Sequence, residues 1–332
     1  MKNKFIIKRN ALHIHIFTFL FFMLVSSCSH WMYDDLPPCK AELRFVYDHN
    51  MKFADAFGHE VKRLTVYIFD EAGKIVKTKT VEKESFDKNF TLPLELHPGK
   101  YTVLTWAGLY EESYHFTKAD ANTSIEQLGI SIKNAEKKVD YQLKHLWHGM
   151  LQIEFDGTGH KIYTVPLIKD TNTFRIAMLT QSSTPIDMNN YDLSISEDNG
   201  AYTYMNEIVP NNTITYRPYY QSDALTQKQG ETEYAGAVYE LRTGRLMANQ
   251  PTRFTVYSHK ANKTVLDIDL TDYLAILRME ENANLPLQEY LDRQDQYNIT
   301  FFFTEGTSPE ENFLSVQVYI NNWLIRVQHV KQ

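Results

Sequence analysis

The sequence predicts an all-β protein, built as two tandem β-sandwich domains that follow an amino-terminal export signal. Three observations carry this prediction. Aromatic residues make up 13% of the 332 residues, and together with Val, Ile and Thr they form short runs typical of strands. Turn signals that contain Gly, Pro or Asn separate these runs. Without its signal the chain keeps about 300 residues, enough for two domains with separate cores.

The amino-terminal half of the chain alternates strand patterns with turns. Strand patterns occupy residues 42–47, 64–69, 75–81, 90–96 and 101–106. Turn residues 70–73 join the second pattern to the third, and turn residues 97–100 join the fourth to the fifth. Each of these two pairs predicts an antiparallel hairpin. The more polar stretch 124–138 predicts a helical turn.

A domain boundary is predicted near Pro166, which gives an amino-terminal domain at residues 40–165 and a carboxyl-terminal domain at residues 166–332. Residues 167–179 have a strand pattern interrupted by the turn-forming residues 169–172. Residues 189–230 are rich in Asn, Tyr and Ser. This composition predicts long loops between the strands of a sandwich.

One pair of segments suggests an internal duplication. Residues 63–67 read RLTVY and residues 253–257 read RFTVY, and each is followed by a short turn and a second strand pattern. A shared strand composition is the alternative explanation for four matches in five positions.

The carboxyl-terminal region predicts one helix and three strands. Asn284 is expected to cap a helix that runs to Arg293, with Pro286 in its first turn. Strand patterns follow at residues 297–303, 313–320 and 323–330, with Leu314, Val316, Val318 and Ile320 on one face of the second. Asn321 and Asn322 join the last two strands, and Asn tolerates the positive φ of a tight hairpin turn.

The first 27 residues predict a lipoprotein signal peptide. Lys2, Lys4, Lys8 and Arg9 precede a mostly apolar run at residues 11–25, which is too short for a settled transmembrane helix. The run ends Leu-Val-Ser-Ser-Cys28, which resembles the bacterial lipobox. Cys28 is therefore the predicted lipidation site and first mature residue, and residues 28–39 form a tether. Ordinary secretion with a Cys28–Cys39 disulfide is the alternative.

Lipidation at Cys28 predicts that the protein is attached to the outer membrane and exposed on the cell surface. Each buried methylene of an acyl chain contributes about 0.8 kcal/mol, so two or three chains hold a protein indefinitely. Asp34 and Asp35 in the tether resemble the surface-export signals of lipoproteins in the Bacteroidales. Cys39 would then lack an intramolecular partner, and we expect it to pack rather than react.

No pattern in the chain predicts catalysis or a cofactor. The sequence contains no G-x-S-x-G, H-E-x-x-H, P-loop, Rossmann fingerprint or paired C-x-x-C motif. The formal net charge of −7 argues against a nucleic-acid partner. We therefore expect a protein that is not an enzyme and needs no cofactor.

Three groups of side chains resemble parts of binding sites but are expected to be structural. His145 and His148 lie three apart in a strand-like stretch and would point to opposite faces, so a metal site is not expected. Asp267 and Asp269 share a strand face but lack the further oxygen ligands that Ca²⁺ needs. Trp106, Trp147 and Trp323 are expected in the core rather than on a sugar-stacking platform.

Several segments together resemble the fimbrial anchor lipoproteins of the Bacteroidales, relatives of the major and minor fimbrillins. They are residues 28–39 (CSHWMYDDLPPC), 66–70 (VYIFD), 98–101 (PGKY), 106–108 (WAG), 165–175 (VPLIKDTNTFR), 287–293 (LQEYLDR), 297–301 (YNITF) and 320–323 (INNW). The resemblance implies two transthyretin-like Greek-key sandwiches. It also implies a fimbrial anchor that tethers the fibre to the outer membrane, limits its length and contacts stalk or accessory subunits.

Fimbrial subunits of this kind join by strand donation, in which a strand of one subunit completes the sandwich of the next. The candidate joint residues are Glu42, Leu43, Phe45 and Tyr47 in the first strand and Trp323, Ile325 and Val327 in the last. The alternative is that both strands simply complete their own sandwiches. Whether a strand is donated or accepted stays open.

An adhesin is the alternative function. In this interpretation the chain is a surface lipoprotein that binds glycans or host proteins, and the Tyr-rich residues 202–239 form its contact surface.

Overall fold

The computed structural model describes residues 40–180, 185–229, 232–303, 315–321 and 323–329. The predicted signal at residues 1–27, the tether at residues 28–39 and both cysteines lie outside this part of the chain and stay predictions. Within it, no helix is long and apolar enough to cross a membrane.

The first half of the chain forms two sheets that face each other. Its strands are β1 (Lys40–Val46), β2 (Arg63–Asp70), β3 (Ile75–Glu82), β4 (Thr91–Leu94), β5 (Gly99–Ala107), β6 (Tyr114–Phe116), β7 (Ile130–Ile132), β8 (Lys138–Val139), β9 (Trp147–Phe155), β10 (His160–Pro166) and β11 (Ile168–Lys169). A three-stranded sheet has the order β10-β1-β4, and a five-stranded sheet has the order β11-β9-β5-β2-β3. Leu43, Phe45, Val66, Ile68 and Val103 fill the core between them.

The second half forms most of two further sheets around a second core. Its strands are β12 (Thr171–Thr180), β13 (Tyr191–Glu197), β14 (Ala201–Tyr202), β15 (Ile214–Tyr216), β16 (Tyr220–Gln229), β17 (Thr232–Gly244), β18 (Arg253–Ser258), β19 (Lys263–Asp269), β20 (Gln296–Phe303), β21 (Ser315–Ile320) and β22 (Trp323–His329). One sheet has the order β16-β17-β12-β20-β21-β22 and the other β19-β18-β13-β15-β8. Phe174, Ile195, Phe254 and Phe301 lie in the core between them.

The two halves share packing through the segment between β5 and β9. This segment contributes β8 to a sheet of the second half, and it pairs β7 with β14 in a small sheet of order β14-β7-β6. Its 3-10 helix, Ile125–Leu128, covers the outer face of the five-stranded sheet that contains β5. There Trp106 Nε1 donates to the Leu128 carbonyl at 3.1 Å. β2 is therefore buried along residues 64–69, because both of its faces are covered.

Three α-helices and a second 3-10 helix (Met188–Asn190) complete the described fold: the α-helices are α1 (Phe57–Glu60), α2 (Leu270–Glu281) and α3 (Leu287–Arg293). Asp269 caps α2 by accepting a hydrogen bond from the Thr271 amide at 3.0 Å. Leu270, Leu274 and Leu277 face the core from α2 at the spacing of a helical stripe.

The all-β class and most of the predicted strands are confirmed. The hairpin predicted around residues 70–73 forms as β2 and β3, and the helical turn predicted within 124–138 forms at residues 125–128. Asn321 has φ 49° in the turn before β22, and Val318 and Ile320 are buried on one face of β21. The division into two domains at Pro166 stays a prediction, and strands of the first half pair with strands of the second.

The hairpin predicted around residues 97–100 was wrong. β4 and β5 are consecutive, but β4 pairs with β1 in the three-stranded sheet, whereas β5 pairs with β2 and β9 in the five-stranded sheet. The turn between them therefore crosses from one sheet to the other. Two strands that flank a turn need not pair when each finds another partner across the sandwich.

Two expectations about irregular regions were also wrong. Residues 189–230, predicted as long loops, contain strands β13 to β16, and the Tyr, Leu and Ile side chains of β13 and β15 alternate into the core. The predicted helix ends at Arg293 as expected but begins at Leu287, with Pro286 rather than Asn284 at its N-cap position. The similar segments at 63–67 and 253–257 begin β2 and β18, each paired with the strand that follows it.

Gly108 provides a test of the packing between β5 and the segment before β9. Its φ is 77°, and a Cβ there would overlap the carbonyl oxygen of His145. Gly108→Ala should lower the free energy of unfolding, measured with urea, by about 3 to 5 kcal/mol, since left-handed strain and overpacking add. Gly73→Ala is the control, because Gly73 has φ 75° with open space around it. It should cost only about 1 kcal/mol; equal losses in the two variants would contradict the packing explanation.

Candidate functional site

The first candidate joint strand, β1, lies in the middle of its sheet. It pairs in parallel with β10 and antiparallel with β4, so both of its edges carry ladder hydrogen bonds. Leu43, Phe45 and Tyr47 are buried, and Phe45 stacks on Phe57 with ring centroids 5.7 Å apart. Another chain could pair with β1 only by displacing a neighbouring strand.

Glu42, the remaining candidate on β1, lies at the sheet surface. Its carboxylate is 3.5 Å from His160 Nε2 on β10. The side-chain hydrogen bond from Thr91 on β4 lowers the pKa of Glu42. Glu42 thus links the two neighbours of β1, which is a structural role within its own sheet.

The second candidate joint strand, β22, lies at the end of the six-stranded sheet. Within the described residues it pairs only with β21. Trp323 lies opposite Ile320, and Val327 lies opposite Gln317. The register shifts between these pairs and leaves Ile325 without an opposite residue, as in a β-bulge. The structure therefore separates the two candidate sets, because β1 is enclosed and β22 forms an edge.

The chain crosses from the first half to the second at Lys169, Asp170 and Thr171. Lys169 belongs to β11, which pairs with β9, and Thr171 begins β12, which pairs with β17. The Lys169 side chain is only 2% exposed. Its Nζ lies 2.7 Å from Glu60 Oε2 in α1 and 2.5 Å from Asp295 Oδ2 just before β20.

The Trp147 ring completes the surroundings of Lys169, with its centroid 5.3 Å from Nζ. A buried ammonium ion is tolerated only when opposite charges and a polarisable ring replace its lost hydration. Lys169 therefore joins three segments that are far apart in the sequence.

Asp170 is fully buried beside this lysine. Asn206 Nδ2 donates to its Oδ1 at 2.8 Å, and no donor reaches its Oδ2 within the described residues. Burial raises the pKa of Asp170 to about 7, although Arg245 and the Asn206 hydrogen bond act to lower it. Glu197 has the same character, and burial raises its pKa to about 8.

Helix α3 connects the two halves on the other side of the crossing. Asp292 accepts two hydrogen bonds from Arg245, from Nε and Nη2, each at 2.7 Å. Arg293 donates to the Asp48 carbonyl at 3.2 Å and lies over the Phe53 ring. The helix is thus fixed to the second half by Asp292 and to the first half by Arg293.

The two histidines have structural partners. His145 precedes β9 rather than lying in it, and its Nδ1 is 2.9 Å from Thr171 Oγ1. His148 donates from Nε2 to the Tyr204 carbonyl at 2.8 Å, and burial lowers its pKa to about 4. Across the described residues, no group of three His, Cys, Asp or Glu side chains could hold a metal ion.

The remaining candidates for binding also have structural surroundings. Trp106 and Trp147 are buried in the cores as expected, and the Trp323 side chain lies outside the described part of the chain. Asp267 pairs with Arg253, with Oδ1 2.8 Å from Nε, and Asp269 caps α2.

The Tyr-rich segment predicted as an adhesin surface is partly internal. Tyr202, Tyr216 and Tyr239 are each no more than 1% exposed. Tyr220 is exposed, at 50%, and Tyr204, Tyr219 and Tyr234 are partly exposed. Three of the seven Tyr rings in this segment are therefore withdrawn from the surface, and the contact surface itself stays a prediction.

The sequence interpretation missed the residues that connect the halves. Lys, Asp, Thr and Asn favour turns, so the composition of residues 169–172 predicts a simple turn. One signal was present, since a run of four polar residues between two apolar strand patterns is unusual in a buried position. Two of the segments that carry the family resemblance contain connecting residues: Lys169 and Asp170 lie in segment 165–175, and Asp292 and Arg293 lie in segment 287–293.

Lys169→Met should lower the free energy of unfolding by about 3 kcal/mol, because it leaves Glu60 and Asp295 facing each other without a cation. Urea unfolding measures the change. Lys77→Met is the matched control, since Lys77 pairs with the exposed Glu95 at 3.4 Å. It should cost less than about 1 kcal/mol. A loss at position 169 no larger than the control would rule out the buried ion cluster as a main connection.

The buried Asp170 carboxyl should contribute a fall in stability as the pH rises from about 4 to about 7, whereas His148, whose pKa burial lowers to about 4, contributes a rise over part of the same range. Over this range folded Asp170, with its pKa raised from 3.8 to about 7, keeps a proton that the unfolded chain has lost. Asp170→Asn should remove about 4 kcal/mol of this fall, as measured by urea unfolding at several pH values. Glu197 adds a fall of the same sign, which should persist in the variant. Asp272→Asn, on the exposed side of α2, should keep the full pH dependence.

Comparison with known proteins identifies related sequences and structures. The family described as fimbrillin-A associated anchor proteins Mfa1 and Mfa2 matches residues 36–329. The minor fimbrium anchoring subunit Mfa2 of Porphyromonas gingivalis is 22% identical over 323 residues, which cover 92% of each chain. The crystal structure of the fimbrial anchor protein Mfa2 from the same organism has a TM-score of 0.63 at 20% identity, and the match covers 88% of this chain and 100% of that one.

Two crystal structures from Bacteroides thetaiotaomicron are more similar in sequence. One, described as a candidate polysaccharide-binding protein, is 34% identical with a TM-score of 0.72 and covers 89% of this chain and 99% of that one. The other, described as a candidate adhesin, is 28% identical with a TM-score of 0.75 and covers 89% and 100%. Since the family match extends over most of the chain, the protein belongs to the fimbrillin-A associated anchor proteins Mfa1 and Mfa2.

Proposed function

We propose that the protein is a non-enzymatic fimbrial anchor subunit, which tethers a fimbria to the outer membrane through acyl chains on Cys28. The observation that carries the proposal is the contrast between its two terminal strands. β1, nearest the lipid, is enclosed on both sides, whereas β22 forms one edge of the six-stranded sheet as far as the described residues show. An open sheet edge offers main-chain hydrogen bonds to a strand of another subunit.

Attachment at one end and joining at the other account for an anchoring role. Residues 28–39 precede β1 and reach at most about 40 Å when fully extended, which holds the first sandwich close to the membrane. A subunit whose amino terminus is bound to lipid can end a fibre but cannot lie in its middle. The same constraint would limit fibre length, because incorporation of the anchor stops growth at that end.

Cys28→Ala should release fibres into the medium, because removal of the acylated residue removes the membrane affinity of two or three acyl chains. Immunoblots of the medium and electron microscopy of the cells measure the change. Cys39→Ala is the matched control and should leave the fibres attached. Fibres that stay attached at normal length in the Cys28→Ala strain would contradict the anchoring role.

A surface adhesin is the second candidate, and it is supported by the relatives described as a candidate adhesin and a candidate polysaccharide-binding protein. The lipid would serve both roles, so the bound partner distinguishes them. Protein extracted in detergent should co-purify with fimbrial subunits if it is an anchor. Recovery of glycan without fimbrial subunits would favour the adhesin.

A further inference from the structure

A groove runs along the junction of the two halves, on the side of Arg245 and Asn206. It consists of two adjoining cavities of about 360 Å³ and 500 Å³, which share Met205, Asn206 and Arg245. Met150 lines the first cavity, Met247 lines the second, and Met205 lies between them. We call this surface the methionine groove.

The methionine groove has the chemistry of a surface that contacts protein. Met205 is 50% exposed, although transfer of its apolar side chain out of water would be favourable. Pro166 and Ile168 extend the apolar lining of the first cavity, and Ile208 and Pro210 extend that of the second. Methionine side chains adapt to varied apolar partners, because they have three rotatable bonds and a polarisable sulfur.

The rim of the methionine groove is acidic. Asp48 lines the first cavity, and Asp198 and Glu207 line the second. The carboxylates of Asp48 and Glu207 form no ion pair with any described residue. The Asp198 carboxylate accepts hydrogen bonds from the backbone amides of Asn211 and Asn212. A ligand with positive charge would therefore be favoured at this rim.

The basic groups of the methionine groove do not offset this charge. Arg245 is neutralised by its two hydrogen bonds to Asp292. Burial lowers the pKa values of His49 and His148, so both imidazoles are neutral near pH 7. Arg293 lies nearby, where it donates to the Asp48 carbonyl, but it pairs with Glu289.

We propose that the methionine groove binds an extended segment of the neighbouring fimbrial subunit, with apolar side chains in the two cavities and basic side chains at the rim. In an extended chain, alternate side chains point the same way about 7 Å apart, which suits two adjoining cavities separated by one side chain. The inference rests on the proposed anchoring function and adds a second contact to the edge of β22. The groove lies where the two halves meet, so an occupant would touch both.

A photo-crosslinking amino acid at position 205 of the full-length lipidated protein, in cells that carry fibres, tests the occupant. Irradiation should join it to a fimbrial subunit, and mass spectrometry should map the link to a segment with apolar and basic residues. The control places the same amino acid at Ile276, which is similarly exposed on α2, at 49%. No link at 205, equal linking at both positions, or a link to an acidic segment would overturn the proposal.

Charge reversal provides a second, independent test. The double variant Asp48→Lys and Glu207→Lys should reduce co-purification of the fimbrial subunit about tenfold at low salt, with a smaller effect at high salt. The control reverses Glu71 and Glu84, two exposed carboxylates away from the groove, and should bind normally. Normal binding by the groove variant, in a background where Cys28→Ala still releases fibres, would refute the groove and leave the anchoring function standing. If Cys28→Ala releases no fibres, it is the proposed function that fails.

Discussion

The structure depends on one buried cation. Lys169 lies at the point where the chain leaves the first sheets and enters the second, and its ammonium group is held by Glu60, Asp295 and the Trp147 ring. Each carboxylate comes from a different part of the sequence, so the cation fixes three segments at once. An unpaired charge in this position would cost several kcal/mol, which makes the arrangement of the halves specific rather than merely compact.

The five-stranded sheet of the first half, β11-β9-β5-β2-β3, reinforces this connection because it has a core on each face. Leu64, Val66 and Ile68 face the first core, while Tyr67 and Phe69 face the second. The halves therefore share a sheet rather than touching through a small polar interface. If Cys28 carries the lipid, tension enters at Lys40 and acts along β1, where it loads the ladders to β10 and β4 together.

Much of the fold could be predicted from local patterns. The last three strands and the turn at Asn321 follow from alternating side chains and from the tolerance of Asn for positive φ. The interpretation failed where local composition and tertiary environment disagree. Tyr202 and Tyr216 lie in a stretch with the composition of loops, yet they are buried. Helix α2 was missed, although residues 269–277 carry a cap and a helical stripe of leucines that could have indicated it.

The sequence by itself determined the strand-rich class, because strand patterns depend on neighbours along the chain, while the lipidation of Cys28 and the use of β1 or β22 as a joint stay predictions. Only the tertiary structure decided that β1 is enclosed and that β22, among the described residues, pairs on one side only. Whether a strand is an edge depends on which distant segments pair with it, here β10 and β4 for β1 and β21 for β22. The same reason applies to Lys169, whose partners lie 109 and 126 residues away, so the polar run around it does not show which residues it contacts.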